Sequence, residues 1–302
     1  MSDKNFPLVS IITVTRNLID AGRKDFFRQC VESVRMQDYP SIEHLIIDGA
    51  STDGTVELLQ ELGVNYVSEP DTGVYNAFNK GIKKARGKYI AFLNSDDFYT
   101  RSDTVSLSVV ALEKSQADFS YASIRVIDEE KGTEKDVEPH WGNCLIGLPF
   151  CHQTMFSTKK MMTELGGFDE NFRIIADFDL FQKALLANYR AIEVKNTIAA
   201  FRLGGISSTS SLVSEAAKIF EKNVSLSPKQ AKRAAQFGFM PSKILKEILK
   251  KTPAIPNAKA VLKYNRTRFL KYIRRQIFRL RLRKGKRCIR LFGITFYNEV
   301  KL

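Results

Sequence analysis

Between residues 8 and 93, four short apolar runs alternate with stretches of helical period, and no other feature limits the fold as much. Leu8-Val9-Ser10-Ile11-Ile12-Thr13-Val14 is a β-branched run of the kind found in a strand covered on both faces. His44–Asp48, Val64–Val67 and Tyr89–Leu93 read as further short strands. Between them, Phe27, Cys30, Val31 and Val34 recur at three- and four-residue spacing, and Tyr75–Ala85 carries Phe78, Ile82 and Ala85 on one side. Thr55–Leu62 is a helix whose start Ser51, Thr52 or Asp53 caps. This alternation predicts an α/β fold: βαβ units with right-handed crossovers, a mostly parallel sheet and helices on both faces.

The pattern is less regular beyond Thr100. Thr104–Lys114 reads as a helix, Asp118–Ala122 as a strand, and Ile124–Val137 as a hairpin around Lys131-Gly132. Asp177–Leu186 is an amphipathic helix, and Ala191–Val194 and Ile198–Leu203 are strands. From Leu212 the chain turns helical and basic, punctuated by Pro228, Pro241, Pro253 and Pro256. Its last helix, about Ala258 to Arg283, sets Leu262, Phe269, Ile273, Ile277 and Leu280 along one stripe, and Cys288–Phe296 reads as a hairpin turning at Gly293.

Charge divides the chain at the same place. Residues 212–302 hold 24 Lys+Arg against 4 Asp+Glu, a net +20, which leaves −6 for residues 1–211. A body of residues 1–211 with a basic helical segment of residues 212–302 is the expected organisation. No apolar run is long enough to span a membrane. Met1-Ser2-Asp3-Lys4-Asn5 has neither the basic start nor the apolar block of a signal peptide, so a cytoplasmic protein is expected. The four cysteines show no C-x-x-C spacing, which argues against a zinc site or a disulfide framework.

In an open α/β sheet, ligands bind at the carboxyl ends of the strands. Four polar constellations fall at those ends here. Thr15-Arg16-Asn17 follows the first strand, and Asp48–Thr55 follows the second, with Asp48 placed to accept from a base N–H. Glu69–Asn76 comes next, with Gly73 allowing close backbone approach to a ligand. Leu93-Asn94-Ser95-Asp96-Asp97 ends the fourth strand, where two acids suit a hard divalent cation bound to phosphates. Each alone reads as turn and cap chemistry. Together they form a nucleotide, phosphate and metal crevice. Neither G-x-G-x-x-G after the first strand nor a P-loop is present, which disfavours dinucleotide oxidoreductases and P-loop enzymes.

Val9–Asn17, Asp48–Thr55, Glu69–Gly81 and Leu93–Asp97, in this order and at these separations, resemble the family-two glycosyltransferases of the GT-A (Rossmann-like) fold. The likeness is greatest to bacterial members that build cell-surface polysaccharides, and it runs from about residue 7 to residue 210. The resemblance implies a nucleotide-diphospho-sugar donor, UDP by family frequency, an Mn²⁺ or Mg²⁺ ion and inversion at the anomeric carbon. By it, Asp48 holds the nucleobase, Thr15, Arg16 and Asn17 end the first nucleotide-binding strand, and Gly73 and Asn79 belong to the third motif. Asp96 matches the metal carboxylate, with Ser95 and Asp97 beside it. Asn94 stands where many members have Asp, which leaves open whether a second carboxylate reaches the metal directly or through water. Asp177, in Ala176-Asp177-Phe178-Asp179-Leu180, matches the general base; helix N-capping is the plainer use of such acids. His152, in Cys151-His152-Gln153-Thr154, contacts the diphosphate or the acceptor, and Arg202 opens a following loop where it neutralises phosphate. Trp141 stacks on an acceptor sugar or packs internally.

A helix with an apolar stripe and a cationic face lies in a membrane interface. The basic segment therefore points to an anionic membrane surface, hence a peripheral protein at the inner face of the cell membrane, with a glycan or lipid-linked glycan as acceptor. The competing reading is nucleic-acid binding through the basic helices. The acidic body and the lack of a nucleic-acid motif stand against it.

Overall fold

The computed structural model describes residues 6–204, 212–255, 257–283, 288–291 and 294–297, with side chains as far as residue 274. The first half alternates as expected: β1 (Val9–Thr15), α1 (Lys24–Arg35), β2 (Ile42–Asp48), α2 (Thr55–Glu61), β3 (Asn65–Ser68), α3 (Val74–Lys84), β4 (Tyr89–Phe92). There follow β5 (Phe98–Tyr99), α4 (Thr104–Ser115), β6 (Phe119–Asp128), β7 (Thr133–Val137), β8 (Phe156–Thr158), α5 (Lys159–Glu164), α6 (Ala176–Leu186) and β9 (Ala191–Arg202). The basic segment forms α7 (Leu212–Val224), α8 (Pro228–Phe237), α9 (Ser242–Lys251), α10 (Ala258–Arg283), β10 (Cys288–Leu291) and β11 (Ile294–Tyr297).

One sheet runs in the order β3-β2-β1-β4-β8-β6-β9-β5, with β7 paired to β6. Its first four strands are parallel, so their carboxyl ends share one edge. Beyond β4 the sheet is mixed: β8 runs antiparallel to β4 and β6, and β9 parallel to β6. The two strands expected at 191–194 and 198–203 are one strand, and the gap between them is a register shift opposite Ala122–Ile124. Such a bulge keeps a strand continuous while breaking its alternation. The hairpin at Lys131-Gly132 forms as expected. β10 and β11 pair antiparallel, and the expected turn at Gly293 lies outside the described residues.

Successive strand side chains point to opposite faces, and both faces are covered. Ile12, Ile90 and Phe92 join one apolar cluster with Phe78 and Ile82 of α3. Val9, Ile11, Tyr89 and Ala91 join another with Cys30 and Val34 of α1 and Val105, Val109 and Leu112 of α4. Gly81 lets α3 lie close on β1, because a Cβ there would meet Ile12 Cγ2 at 2.5 Å.

The apolar core does not stop where the charge changes. Ile219, Phe220, Ala231, Ala234, Met240, Leu245 and Val261 belong to the same cluster as Phe178 and Phe181 of α6. Buried Asn265 of α10 accepts from Met240 N and donates to Met240 O, which fixes α10 to the α8–α9 connection. The apolar stripe of α10 is partly used in this packing: Leu262 joins the cluster and the Phe269 ring lies 5.3 Å from that of Phe239. What α10 leaves outward is mainly cationic, with Lys259, Lys263, Arg266, Lys271 and Arg274 exposed beside Leu270. Ile277 and Leu280 lie beyond the described side chains. No helix among the described residues is long and apolar enough to cross a membrane.

Candidate active site

The register of the parallel strands sets Thr15 beside Asp48 and Asp48 beside Ser68. Asp48 is fully buried. Its Oδ1 accepts from Thr15 Oγ1 at 3.0 Å and Ser51 Oγ at 2.5 Å; its Oδ2 accepts from Ser51 N at 2.9 Å and Ser68 Oγ at 2.7 Å. Four donors saturate a carboxylate. Asp48 thus ties three strand ends together, and contact with a base requires Ser51 or Ser68 to release it. Asn17 takes the left-handed conformation that asparagine tolerates, φ 47°. Its backbone N–H donates to Ser51 Oγ, and its side chain accepts from Thr52 N. The N-cap of α2 is Gly54 and none of the three expected residues; Asp53, beside it, accepts from Thr55 N and Oγ1. Asp71 packs against Gly49, accepts from Gly73 N, and has Arg16 Nη1 at 3.8 Å.

The two acids after β4 divide. Asp96 borders a cavity of about 640 Å³, and its Oδ2 lies 2.6 Å from Arg23 Nη1. Asp97 is fully buried and does not line the cavity. Its Oδ1 accepts from Arg202 N, and its Oδ2 accepts from Asn94 Nδ2 and Gln153 Nε2. Burial, and then the neighbouring charge of Asp96, push the Asp97 carboxyl up to about 7. Asp97 holds the turn that presents Asn94, Ser95 and Asp96, and both its oxygens accept from protein donors. Arg202 is likewise a brace. Its guanidinium donates to Glu129, Gln29 and the Asp96 carbonyl, and lies 4.2 Å over the Phe26 ring and 5.0 Å over the Phe98 ring.

Asp177, in the first turn of α6, lines the same cavity. Its Oδ1 accepts from Phe178 N at 2.8 Å, and its Oδ2 lies 3.2 Å from His152 Nδ1. The other ring nitrogen of His152 is 3.4 Å from Asn94 Oδ1. An Asn94–His152–Asp177 chain therefore links the Asp96 turn to α6. Tyr75 of α3 donates to Ile174 O at 2.7 Å and approaches Asp177 Oδ1 at 3.3 Å. Burial, then Asp177, hold its phenol well above its ordinary pKa.

Of the residues singled out in the sequence, Ser95, Asp96, His152, Asp177 and Arg202 line this cavity. Thr15, Arg16, Asn17, Asp48 and Gly73 lie along the adjoining strand ends. Asn79 reaches neither; its amide pins α3 to the loop before α6, bonding Phe168 N and O and Glu170 Oε1. Trp141 is a packing residue: its ring lies 5.0 Å from Tyr121 and 6.0 Å from Phe181. The sequence reading missed Arg23 and Arg173, which also line the cavity. Neither carries a motif; the fold brings Arg23 to Asp96, and Arg173 precedes Asp177 by four residues.

Comparison with known proteins follows the same lines. The model of Glycosyl transferase family 2 matches residues 10–184. The putative teichuronic acid biosynthesis glycosyltransferase TuaG of Bacillus subtilis is 34% identical over 137 residues, covering 43% of this chain and 51% of TuaG. Among solved structures, S. aureus TarS in complex with UDP-GlcNAc superposes with a TM-score of 0.63 at 14% identity, covering 97% of both chains. The mannosyltransferase PcManGT of Pyrobaculum calidifontis, in complex with GDP-Man and Mn²⁺, has a TM-score of 0.56 at 18% identity, covering 90% of this chain and 76% of that one. These two likenesses carry the fold, the GT-A arrangement of a parallel half joined to a mixed sheet. With more than half its length matched by the family model, the chain belongs to glycosyl transferase family 2.

Proposed function

We propose that this glycosyltransferase moves a sugar from a nucleotide-diphospho-sugar to a hydroxyl of a glycan acceptor in bacterial surface polysaccharide biosynthesis, inverting the anomeric carbon. The observation that carries the reading is that Asp96 and Asp177 line one cavity, with His152 bridging Asp177 to Asn94 of the turn that bears Asp96. The strand ends around Thr15–Asn17, Asp48 and Asp71–Gly73 receive the nucleotide. A sugar hydroxyl is a weak nucleophile until a positioned carboxylate takes its proton. Asp177 takes that proton, the acceptor oxygen bonds to C1, and the bond from C1 to the diphosphate breaks, releasing the nucleoside diphosphate. His152 orients the Asp177 carboxylate.

Mn²⁺ or Mg²⁺ fits the donor side. Among the described residues no group of three or more His, Cys, Asp or Glu side chains forms a metal cage. Such ions bind through one or two carboxylates plus substrate phosphates, and Asp96 supplies one carboxylate at the cavity wall. When bound, the ion neutralises charge on the departing diphosphate. UDP is the first nucleotide to test, because TarS has been solved with UDP-GlcNAc. The acceptor is lipid-linked, presented at the inner face of the membrane, where the exposed Lys and Arg of α10 meet anionic headgroups.

The test is thermal unfolding with UDP, GDP or dTDP, each with Mn²⁺ or EDTA, repeated on Asp96→Ala. A ligand that binds only the folded state raises the melting temperature. A metal-dependent rise for one nucleotide, absent in Asp96→Ala, supports the donor site; no rise with any nucleotide removes it. Co-sedimentation with phosphatidylglycerol vesicles, against neutral vesicles and an oligonucleotide, tests the α10 surface.

A further inference from the structure

The residues that follow the matched family segment contribute to the same site. Glu215, in the first turn of α7, is a buried carboxylate, 9% exposed. It forms no ion pair among the described residues. Instead it accepts three consecutive backbone N–H groups: Arg173 N at 3.0 Å on Oε1, and Ile174 N at 3.0 Å and Ile175 N at 3.2 Å on Oε2. These N–H groups immediately precede α6, an 11-residue helix. A carboxylate at that position satisfies donors the helix cannot pair and lies at the positive end of its dipole. The same short stretch is gripped from its other side, where Tyr75 donates to Ile174 O. Asp177 is two residues beyond the clamp, and Arg173, a cavity-lining residue, is inside it.

The clamp is rigidly mounted. Phe220 packs edge-on to Phe178 at 6.0 Å. Lys222 bonds Asp169 at 2.6 Å and lies 3.3 Å from the fully buried Asp179, and Asn223 donates to Asp179 at 2.9 Å. Together these contacts hold α7 against α6 on the Asp179 side while Glu215 holds the entry to α6.

We propose that Glu215 is a positioning residue of the transferase: it fixes the Arg173–Ile175 turn and so sets the Asp177 carboxylate against His152. The inference rests on the reading of Asp177 as the base, but its test needs no turnover. The chain has three histidines, so the full-length protein labelled with ¹³C in the histidine rings gives a readable spectrum. His152→Gln assigns the His152 Cε1 resonance, and Asp177→Asn shows where that resonance moves when the neighbouring carboxylate is gone. In Glu215→Gln the His152 resonance is expected to move towards its Asp177→Asn position, with His44 and His140 unmoved. Glu215→Asp, which keeps the charge, moves it less. Hydrogen exchange at residues 173–175 is expected to speed by about tenfold or more in Glu215→Gln, as loss of hydrogen bonds to a charged acceptor implies.

A Glu215→Gln protein with a lower melting temperature but an unmoved His152 resonance overturns the proposal, whether or not exchange at 173–175 speeds, because Glu215 is then only a packing residue. If Glu215→Gln does not fold, Glu215→Asp decides on the same resonance. Failure of the underlying base assignment reads out separately, as undiminished sugar transfer by Asp177→Asn.

Discussion

His152 Nδ1 stands 3.2 Å from Asp177 Oδ2, so the ring and the carboxylate form one unit at the cavity wall. Asp177→Asn is expected to lower the rate of transfer by about 10²–10⁴, the usual contribution of a positioned base. His152→Gln keeps a donor beside Oδ2 and is expected to cost less, about tenfold, chiefly in kcat. Steady-state kinetics on the donor identified by thermal shift check both values.

Arg23 offers a change of opposite sign. Its guanidinium lies 2.6 Å from Asp96 Oδ2 and is about one-third exposed. Arg23→Ala removes a positive charge from the carboxylate assigned to the metal. Mn²⁺ affinity without nucleotide is expected to rise by about threefold to tenfold, the scale of one partly screened charge interaction. Isothermal titration with Mn²⁺ against wild type and Asp96→Ala measures it. Unchanged or weaker affinity in Arg23→Ala contradicts the assignment.

Asp48 is expected to matter for stability as well as for nucleotide binding. Asp48→Asn presents an NH₂ group that either opposes the Ser51 N–H or forces the hydroxyl donors to turn and accept. Losing hydrogen bonds to this buried charged acceptor lowers stability by about 1.5–3 kcal/mol. Ser68→Ala removes one donor of the four and is expected to cost about 1 kcal/mol. Urea denaturation gives both, and the ordering of the two variants is the stringent part.

The pH dependence comes from a residue outside the cavity. His44 hydrogen-bonds Thr13 Oγ1 at 3.1 Å. Burial, aided by Arg35, depresses its pKa from 6.5 to about 4. The unfolded chain therefore binds this proton more readily than the folded one between those values. Stability contributed by neutral His44 is complete above about pH 6.5 and is lost as pH falls towards 4, by about 2–3 kcal/mol. His44→Gln is expected to flatten that limb of the stability profile, and urea midpoints between pH 7 and 4 decide it.

The parallel half was legible because strand and helix periods differ and both faces of the sheet are apolar. Phe27, Cys30, Val31 and Val34 are the buried face of α1, as their spacing requires. The chemistry of individual acids was less legible. Asp96 and Asp97 are neighbours in sequence, yet one lines the cavity and the other is buried behind it. Which way each turns is set by Gln153 and the Arg202 N–H, more than 50 residues away. Short strands such as Phe98–Tyr99 and Phe156–Thr158 carry too few residues to show a period. The charge step near residue 211 marks a change of surface, while the apolar cluster that excludes water crosses it.

That continuity gives the enzyme an order in time. Asp179, two residues beyond Asp177 and wholly buried, has Lys183 of its own helix beside it and draws its other side-chain partners, Lys222 and Asn223, from α7. During synthesis the parallel strands β1–β4 leave the ribosome first. The helix bearing Asp177 gains its full set of partners only when residues beyond 220 have emerged. A nascent chain can thus pair its parallel strands early, while the surroundings of Asp177 are completed late.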